Sequence, residues 1–205
     1  MPELGEEEKY YCSLFSRKKY ANNWPHPRDK GQLKRFVSTK ERLFSKIKQL
    51  EVKLGDYQLY DLPVQPESLA LYIMPNPRDL KKATYNTIIE LTELMRDGKK
   101  DINPHSIALN CIQKSVGRKH FVDFDVDYKP FDVQKLDGLI NRDCVDILET
   151  RGGFHLLVRV EQLEAKYKKT YYKGILELNV DQTGDQMIPV PGCYQGGFMP
   201  KFVTL

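Results

Sequence analysis

The chain has 205 residues, a formal charge of +4 and 40% hydrophobic residues, so it can bury a core as one domain or as one domain with a helical extension. No apolar run is long enough to span a bilayer, and the acidic start lacks the charged-then-apolar layout of a signal peptide, which favours a cytoplasmic protein with no membrane partner. The four cysteines form no Cys-x-x-Cys pair, so neither a zinc ribbon nor a disulfide framework is indicated.

Residues 1–68 are predicted to form a helical, basic N-terminal region packed on the core. Ser38-Thr39-Lys40-Glu41 is a capping-box pattern, and apolar residues recur after it at helical spacing up to Gly55. Lysines and arginines scattered through this region could contact a phosphate backbone. A solvated helix face is the ordinary outcome of such scattered charge, so the pattern alone does not assign a ligand.

Residues 69–205 are predicted to form the core, beginning with an apolar strand over residues 69–74. Two prolines end this strand, and Asp79 can cap a helix that runs to Gly98. Asn103-Pro104 begins a second helix, because proline is favoured at the first helical position. This predicted strand and these two predicted helices precede the most informative part of the chain, residues 120–127.

The next predicted strand carries alternate carboxylates, with the sequence His-Phe-Val-Asp-Phe-Asp-Val-Asp over residues 120–127. Asp123 and Asp125 share one face of the strand, since side chains alternate between faces. Two carboxylates this close repel each other unless a proton or a cation lies between them, and hard divalent ions with oxygen ligands are the usual solution. An EF-hand loop is excluded, because Tyr128 and Gln134 occupy its sixth and twelfth positions. A charged strand face in solvent is the simpler alternative.

A β-hairpin is predicted downstream, with strands over residues 144–150 and 154–160 joined by Arg151-Gly152-Gly153. Two glycines let backbone N–H groups approach an anion closely, and a basic side chain beside them favours phosphate. A tight hairpin turn would also explain the glycines. His155, alone in an apolar strand, is commonly a hydrogen-bonded core histidine. Flanking helices are predicted over residues 131–141 and 161–178.

Three motifs in this order resemble those of the archaeo-eukaryotic primase superfamily, which includes the primase-polymerases of viruses and plasmids. They are Asp123-x-Asp125, then Thr150-Arg-Gly-Gly-Phe-His155, then Val180-Asp181 followed by a Pro-Gly-x-x-Gln-Gly segment. The resemblance covers residues 69–205. It implies an α+β fold with a primase-like catalytic core, in which an RRM-like βαββα palm follows the N-terminal helical region.

The function implied by this resemblance is that of a DNA primase or polymerase-type nucleotidyltransferase, adding nucleotides on a single-stranded DNA template by a two-metal mechanism with Mg²⁺ or Mn²⁺. Its expected partners are the template, nucleoside triphosphates and a separate replicative helicase, in the host cytoplasm if the protein is viral. The catalytic and metal-binding carboxylates would be Asp123, Asp125 and Asp181, with Asp185 as the alternative to Asp181. The nucleotide-binding residues would be Thr150, Arg151, Gly152, Gly153 and His155.

Two other functions fit the same residues. A metal-dependent phosphodiesterase or nuclease would use the carboxylates with water as the nucleophile, and nucleotide-dependent growth of a product would separate the two enzymes. A non-catalytic replication-initiation module would keep the fold for binding DNA or a partner.

Overall fold

Two main antiparallel sheets, a small hairpin and four helices make up the part of the chain that the computed structural model describes, which is residues 2–50, 56–182 and 184–204. The α+β class predicted from the sequence is confirmed. The strands are β1 (Glu8–Arg17), β2 (Lys30–Ser38), β3 (Gln58–Leu59), β4 (Leu62–Pro63), β5 (Leu69–Ile73), β6 (Arg78–Asp79), β7 (Phe121–Val126), β8 (Val145–Glu149), β9 (Phe154–Arg159), β10 (Ile188–Pro189) and β11 (Lys201–Val203). The helices are α1 (Lys40–Leu50), α2 (Leu80–Arg96), α3 (Pro104–Lys114) and α4 (Tyr171–Leu176).

The first sheet is built around β1, which pairs antiparallel with β2 on one side and with β5 on the other. The strand order is β10-β5-β1-β2, and β6 also pairs with the start of β1. Because β1 and β5 are hydrogen-bonded neighbours, the N-terminal region and the predicted core contribute strands to one sheet.

The prediction of a helical N-terminal region over residues 1–68 is wrong, since β1 and β2 provide most of its regular structure. The cause is that β1 is buried on both faces: Tyr10 and Tyr11 are each 0% exposed and point to opposite sides of the sheet. A strand buried on both sides lacks the polar and apolar alternation that identifies strands in sequence. The helix predicted behind the capping box is confirmed as α1, and its predicted end at Gly55 lies outside the described residues.

The second sheet has the order β11-β8-β9-β7, with β9 antiparallel to both of its neighbours β8 and β7. The predicted carboxylate strand and hairpin are therefore confirmed. The helix predicted over residues 131–141 is absent from these described residues: a short 3₁₀ turn at Val133–Leu136 takes its place, and Gly138 follows with a φ of 78° that does not continue a helix. The helix predicted over residues 161–178 is reduced to α4.

The face of β7 that carries Asp123 is turned toward the first sheet. Asp123 lies opposite Leu157, so both side chains are on the same face of the second sheet. Leu157 packs in an apolar cluster with Cys12 and Leu71 of the first sheet. Phe124, on the other face, packs in a separate cluster beneath the 3₁₀ turn and α4. The carboxylates thus lie between the two sheets, and the alternative of an open, solvated strand face does not describe Asp123.

Two helices before β7 begin as their capping residues predict. The side chain of Asp79 accepts a hydrogen bond from the backbone N–H of Lys82 at the start of α2, and Asn103 caps α3 in the same way. The helices α2 and α3 pack against each other beside the first sheet. None of the described helices is long and apolar enough to cross a membrane.

Glu8 fixes the entry of the chain into β7. Its carboxylate accepts hydrogen bonds from the backbone N–H of Gly5 at 2.8 Å, from the backbone N–H of Arg118 at 2.8 Å, and from the Arg118 guanidinium at 3.0 Å. Burial on its own would raise the pKa of Glu8, but these hydrogen bonds and the charge of Arg118 lower it to about 2.

We expect Glu8→Gln to lower the free energy of unfolding at neutral pH by about 2 kcal/mol, because the charge-assisted hydrogen bonds are lost. A carboxyl with a depressed pKa stabilises the fold above its unfolded pKa, and this contribution is lost as the pH falls toward 2. The acid-side loss of stability should therefore be shallower in the variant. Urea denaturation between pH 2.5 and 7 measures both effects, with the exposed Glu6→Gln as control. Equal pH dependence in Glu8→Gln and wild type would contradict the assignment.

Candidate active site

Asp181 lies beside Asp125 at the edge of β7. Asp125 and Asp181 form an isolated antiparallel bridge, in which the Asp125 N–H donates to the Asp181 carbonyl at 2.7 Å and the Asp181 N–H donates to the Asp125 carbonyl at 2.8 Å. Residues directly opposite each other in such a pair point to the same side. Asp181, predicted to end a strand beside the Asp-x-Asp strand, does lie beside β7, but the apolar run before it begins in α4, and in the described residues Asp181 forms this isolated bridge instead of a strand. Asp123 and Asp125 differ in access, since their side chains are 2% and 30% exposed.

His155 lies against the buried carboxylate. Its Nδ1 is 3.1 Å and 3.2 Å from the two carboxylate oxygens of Asp123, and 3.8 Å from Oδ1 of Asp125. Burial alone would lower the pKa of His155, but the hydrogen bond to Asp123 and the charges of Asp123, Asp125 and Asp127 raise it overall. His155 is therefore the hydrogen-bond partner of a carboxylate held between two sheets, and its pKa is raised by that carboxylate.

In the described part of the chain, the Asp125 side chain has no hydrogen bond like that between Asp123 and His155, and burial has the largest effect on its pKa. Its pKa is raised, first by burial and then by the negative charges of Asp127, Asp123 and Asp181, while His155 opposes the shift. A cation close to Asp125 would favour the ionised form of its carboxyl group, and so would offset the effects of burial and of the neighbouring negative charges. The charges around Asp123, Asp125, Asp181 and His155, a group called the cleft below, therefore favour binding of a cation beside Asp125.

The turn after β8 is stabilised mainly by its own groups. The Thr150 N–H donates to the Gly153 carbonyl at 2.9 Å, and the Gly153 N–H donates to the Thr150 hydroxyl at 3.1 Å. Gly153 packs against the Val126 carbonyl so closely that a Cβ could not be accommodated, whereas Gly152 has open space around its Cα. Hairpin packing thus explains Gly153, and phosphate binding by the turn stays a prediction.

Arg151 points toward the first sheet. Its guanidinium lies 5.5 Å from the centre of the Tyr20 ring and 3.5 Å from the Lys19 carbonyl. Gly196, from the Gln-Gly-Gly segment, lies against both Tyr20 and Arg151. The arginine therefore joins the hairpin turn to the N-terminal region, and its predicted contact with a nucleotide stays a prediction.

Asp185, the alternative third carboxylate, is bound to two other side chains. It forms an ion pair with Arg78, and it accepts a hydrogen bond from the Asn76 amide at 2.7 Å. Asn76 also accepts from the backbone N–H groups of His120 and Phe121, both at 2.8 Å, which ties this cluster to the start of β7. Asp185 thus serves to compensate Arg78, which is 0% exposed.

Asn76 was not identified from the sequence. Asn76 and Arg78 alternate with two prolines in the segment Pro75-Asn76-Pro77-Arg78, and this pattern predicts a rigid turn. The pattern does not show which distant strand the turn contacts. Neither Nε nor Nη1 of Arg78 has a hydrogen-bond partner in the described part of the chain. The burial of this arginine makes its single carboxylate partner important for stability.

The donor set of the cleft suits a hard divalent cation in its chemistry, since the carboxylates of Asp125 and Asp181 offer oxygen ligands. Within residues 2–50, 56–182 and 184–204, no three His, Cys, Asp or Glu side chains converge as a complete ligand group. Both oxygens of Asp123 face His155, so Asp123 would share its carboxylate between the histidine and an ion. Mg²⁺ or Mn²⁺ stays a prediction.

No family model, no curated protein and no solved structure matches the chain. The function therefore has to be inferred from the geometry of the cleft and from the motifs.

Asp185→Asn and Asp181→Asn should affect stability in different ways. Asp185→Asn leaves the buried Arg78 without a charged partner, so we expect the free energy of unfolding to fall by about 3 kcal/mol. Asp181→Asn removes a charge that repels Asp125, so stability should change by less than about 1 kcal/mol or should rise. Urea denaturation in metal-free buffer measures both, with the exposed Asp101→Asn as control. A larger loss for Asp181→Asn would show that the two roles are reversed.

Proposed function

We propose that the protein is a DNA primase or polymerase-type nucleotidyltransferase, which adds nucleotides to a growing strand on a single-stranded DNA template. The observation that carries the proposal is the backbone bridge between Asp125 and Asp181, because it places a late acidic residue beside the Asp-x-Asp pair. The three carboxylates come from two segments that are far apart in sequence. The backbone bridge between these two segments supports the primase resemblance, in which the late acidic residue belongs to the same site as the Asp-x-Asp pair.

The strand arrangement also supports an RRM-like palm within a primase-like core. In β7, β8 and β9 the last strand lies between the other two and is antiparallel to both, which is the order of a split βαβ unit. Asp181 follows α4 and bridges to the free side of β7, where a fourth strand would lie in that arrangement. The first crossover uses 3₁₀ turns instead of an α-helix, which is a departure from the βαββα pattern.

The proposed reaction joins a primer 3′-hydroxyl to the α-phosphate of a nucleoside triphosphate, with pyrophosphate as the leaving group. Mg²⁺ or Mn²⁺, held by Asp125 and Asp181 and shared by Asp123, would supply Lewis-acid activation of the hydroxyl and neutralise phosphate charge. Asp125, exposed at the cleft, faces the incoming groups. His155 orients the Asp123 carboxylate through Nδ1 and leaves Nε2 as the atom that could donate to a triphosphate oxygen.

A metal-dependent phosphodiesterase is the second candidate, and the His155–Asp123 pair favours it. A histidine oriented by a carboxylate is the arrangement that general acid-base catalysis uses, and water would then replace the 3′-hydroxyl as nucleophile. The two enzymes differ in product: the polymerase lengthens a strand only when nucleotides are present, and the phosphodiesterase shortens it without them.

Asp125→Asn should abolish nucleotide incorporation, with a loss of at least about a hundredfold, because it removes the accessible carboxylate of the cleft while keeping its size. A primer-extension gel with labelled nucleotides, single-stranded template and Mg²⁺ or Mn²⁺ measures the rate, and Asp101→Asn is the control. Extension by wild type and not by Asp125→Asn supports the proposal. Template shortening by wild type would favour the phosphodiesterase, and no reaction by wild type would favour a non-catalytic DNA-binding module.

Two substitutions of His155 separate nucleotide contact from orientation of Asp123. Asparagine keeps a donor near the position of Nδ1 and removes Nε2, whereas glutamine keeps a donor near Nε2 and removes Nδ1. If Nε2 contacts the triphosphate, His155→Asn should weaken nucleotide affinity roughly tenfold to a hundredfold with template affinity unchanged. Nucleotide titrations and template anisotropy measure these separately. Wild-type nucleotide affinity in His155→Asn, with a loss in His155→Gln, would restrict His155 to orienting Asp123.

A further inference from the structure

The outer face of the first sheet is only partly covered. Side chains alternate along β1, so Leu14 points into the core between the sheets while Phe15 and Arg17 point outward. Toward the other end of this face, α3 lies over Tyr11, whose hydroxyl donates to Gln113 at 3.2 Å. The half of the face that carries Arg17 is less covered, since Gln113 is the one residue that α3 contributes to the described lining of a hollow there.

A hollow of about 250 Å³ opens on this less covered half. Its floor contains an aromatic pair, Phe15 and Tyr72, with ring centres 5.8 Å apart and planes at 82°. The Arg17 guanidinium lies 5.6 Å from the centre of the Tyr72 ring and donates to the Tyr72 hydroxyl. The described residues that line the hollow include two cations and no carboxylate, and they are Phe15, Arg17, Lys30, Tyr72, Gln113 and Met187.

A second hollow, of about 340 Å³, continues along β2 beside α3. Its described lining includes Lys34, Arg35 and His105 and again no carboxylate. The chain as a whole has 28 acidic residues against 32 basic ones, yet the described residues that line these two hollows include lysine and arginine and no carboxylate, which is a local separation of charge. Such a basic stripe is typical of surfaces that bind a phosphate backbone.

Aromatic rings beside cations on an open sheet face are typical of binding to unpaired bases. A base has a π-face that stacks on an aromatic ring, and its phosphate pairs with lysine or arginine. A duplex presents phosphates but keeps its bases stacked, so it cannot fill a hollow whose floor is aromatic. The combination of hollow, rings and cations therefore selects a single strand.

We propose that this outer face, with Phe15, Arg17 and Lys30 at its centre, binds single-stranded DNA, one unpaired base entering the hollow and the neighbouring phosphates lying on the two cations. The proposal rests on the proposed function, because it takes the strand to be the template. It adds a binding surface that lies in the N-terminal region, outside all three motifs.

The test is fluorescence anisotropy of a labelled oligothymidylate, measured without nucleotide or metal on the full chain. Phe15→Leu keeps an apolar side chain and removes the ring, and we expect a roughly tenfold loss of affinity, the scale of one stacked base. Arg17→Gln with Lys30→Gln should reduce the slope of log affinity against log salt by about 1.4, since each phosphate contact on a single strand contributes about 0.7.

The matched controls are on α2, where Tyr85 is 57% exposed and Lys81 and Lys82 are also exposed. Tyr85→Leu and the double variant Lys81→Gln with Lys82→Gln should bind as wild type does. Circular dichroism and urea denaturation confirm that each variant is folded. Photocrosslinking with an oligonucleotide containing 5-iododeoxyuridine should place the crosslink in β1 or β5 peptides, which a purely structural effect of Phe15 would not produce.

Wild-type affinity and salt slope in both outer-face variants would overturn the proposal, as would crosslinks confined to other elements or equal affinity for a duplex of the same length. This result is separable from the proposed function. Asp125→Asn should lose incorporation and keep oligonucleotide binding. Incorporation by wild type, with normal binding by the outer-face variants, would refute only the binding surface. Binding that depends on the outer face, with no incorporation by wild type, would refute only the proposed function.

Discussion

The burial of Asp123 between two packed sheets is the constraint on which the cleft depends. A carboxylate removed from water is unfavourable unless a positive charge and hydrogen bonds compensate it. His155 meets this need from the neighbouring strand, at 3.1 Å and 3.2 Å, and in doing so fixes the register of β7 against β9. A shift of β7 by one residue would turn Asp123 toward the apolar cluster on the other face and away from His155. The pair of Asp123 and His155 thus forms part of the candidate site and also favours the observed pairing of β7 with β9.

A second buried charge fixes the other side of the cleft. Arg78 pairs with Asp185, and Asn76 joins this pair to the backbone of β7. The segment that contains Asp181 is therefore held at two points, by its backbone bridge to Asp125 and by the ion pair four residues later. Two separate attachments restrict the position of Asp181 more than the bridge alone could.

The sequence predicted the elements whose structure is determined by a short local pattern of residues. The alternate carboxylates of β7, the glycine turn of the hairpin and the caps of α2 and α3 are of this kind, and the structure has each element in place. The bridge between Asp125 and Asp181 was predicted in outline, since an acidic residue following an apolar run suggested it. The partners of Asp185 were not, because the contact with Arg78 spans 107 residues and has no local signature. The strand β1 was missed because burial on both faces removes the alternation that marks a strand. The strand β2 was missed although it keeps exposed positions, because its lysines and arginines were interpreted as part of a basic helical region.

Because β1 lies between β5 and β2 in the first sheet, shortening the chain to its motif-bearing residues would remove a strand that pairs with β5. A fragment beginning at Leu69 would retain the three motifs, yet its β5 would lose the long partner strand and keep only the two-residue β10. An unpaired edge with an apolar face is the typical starting point for aggregation between molecules. A fragment of residues 69–205 therefore lacks the strands that complete the first sheet, and these N-terminal strands are part of the fold that holds the motifs in place.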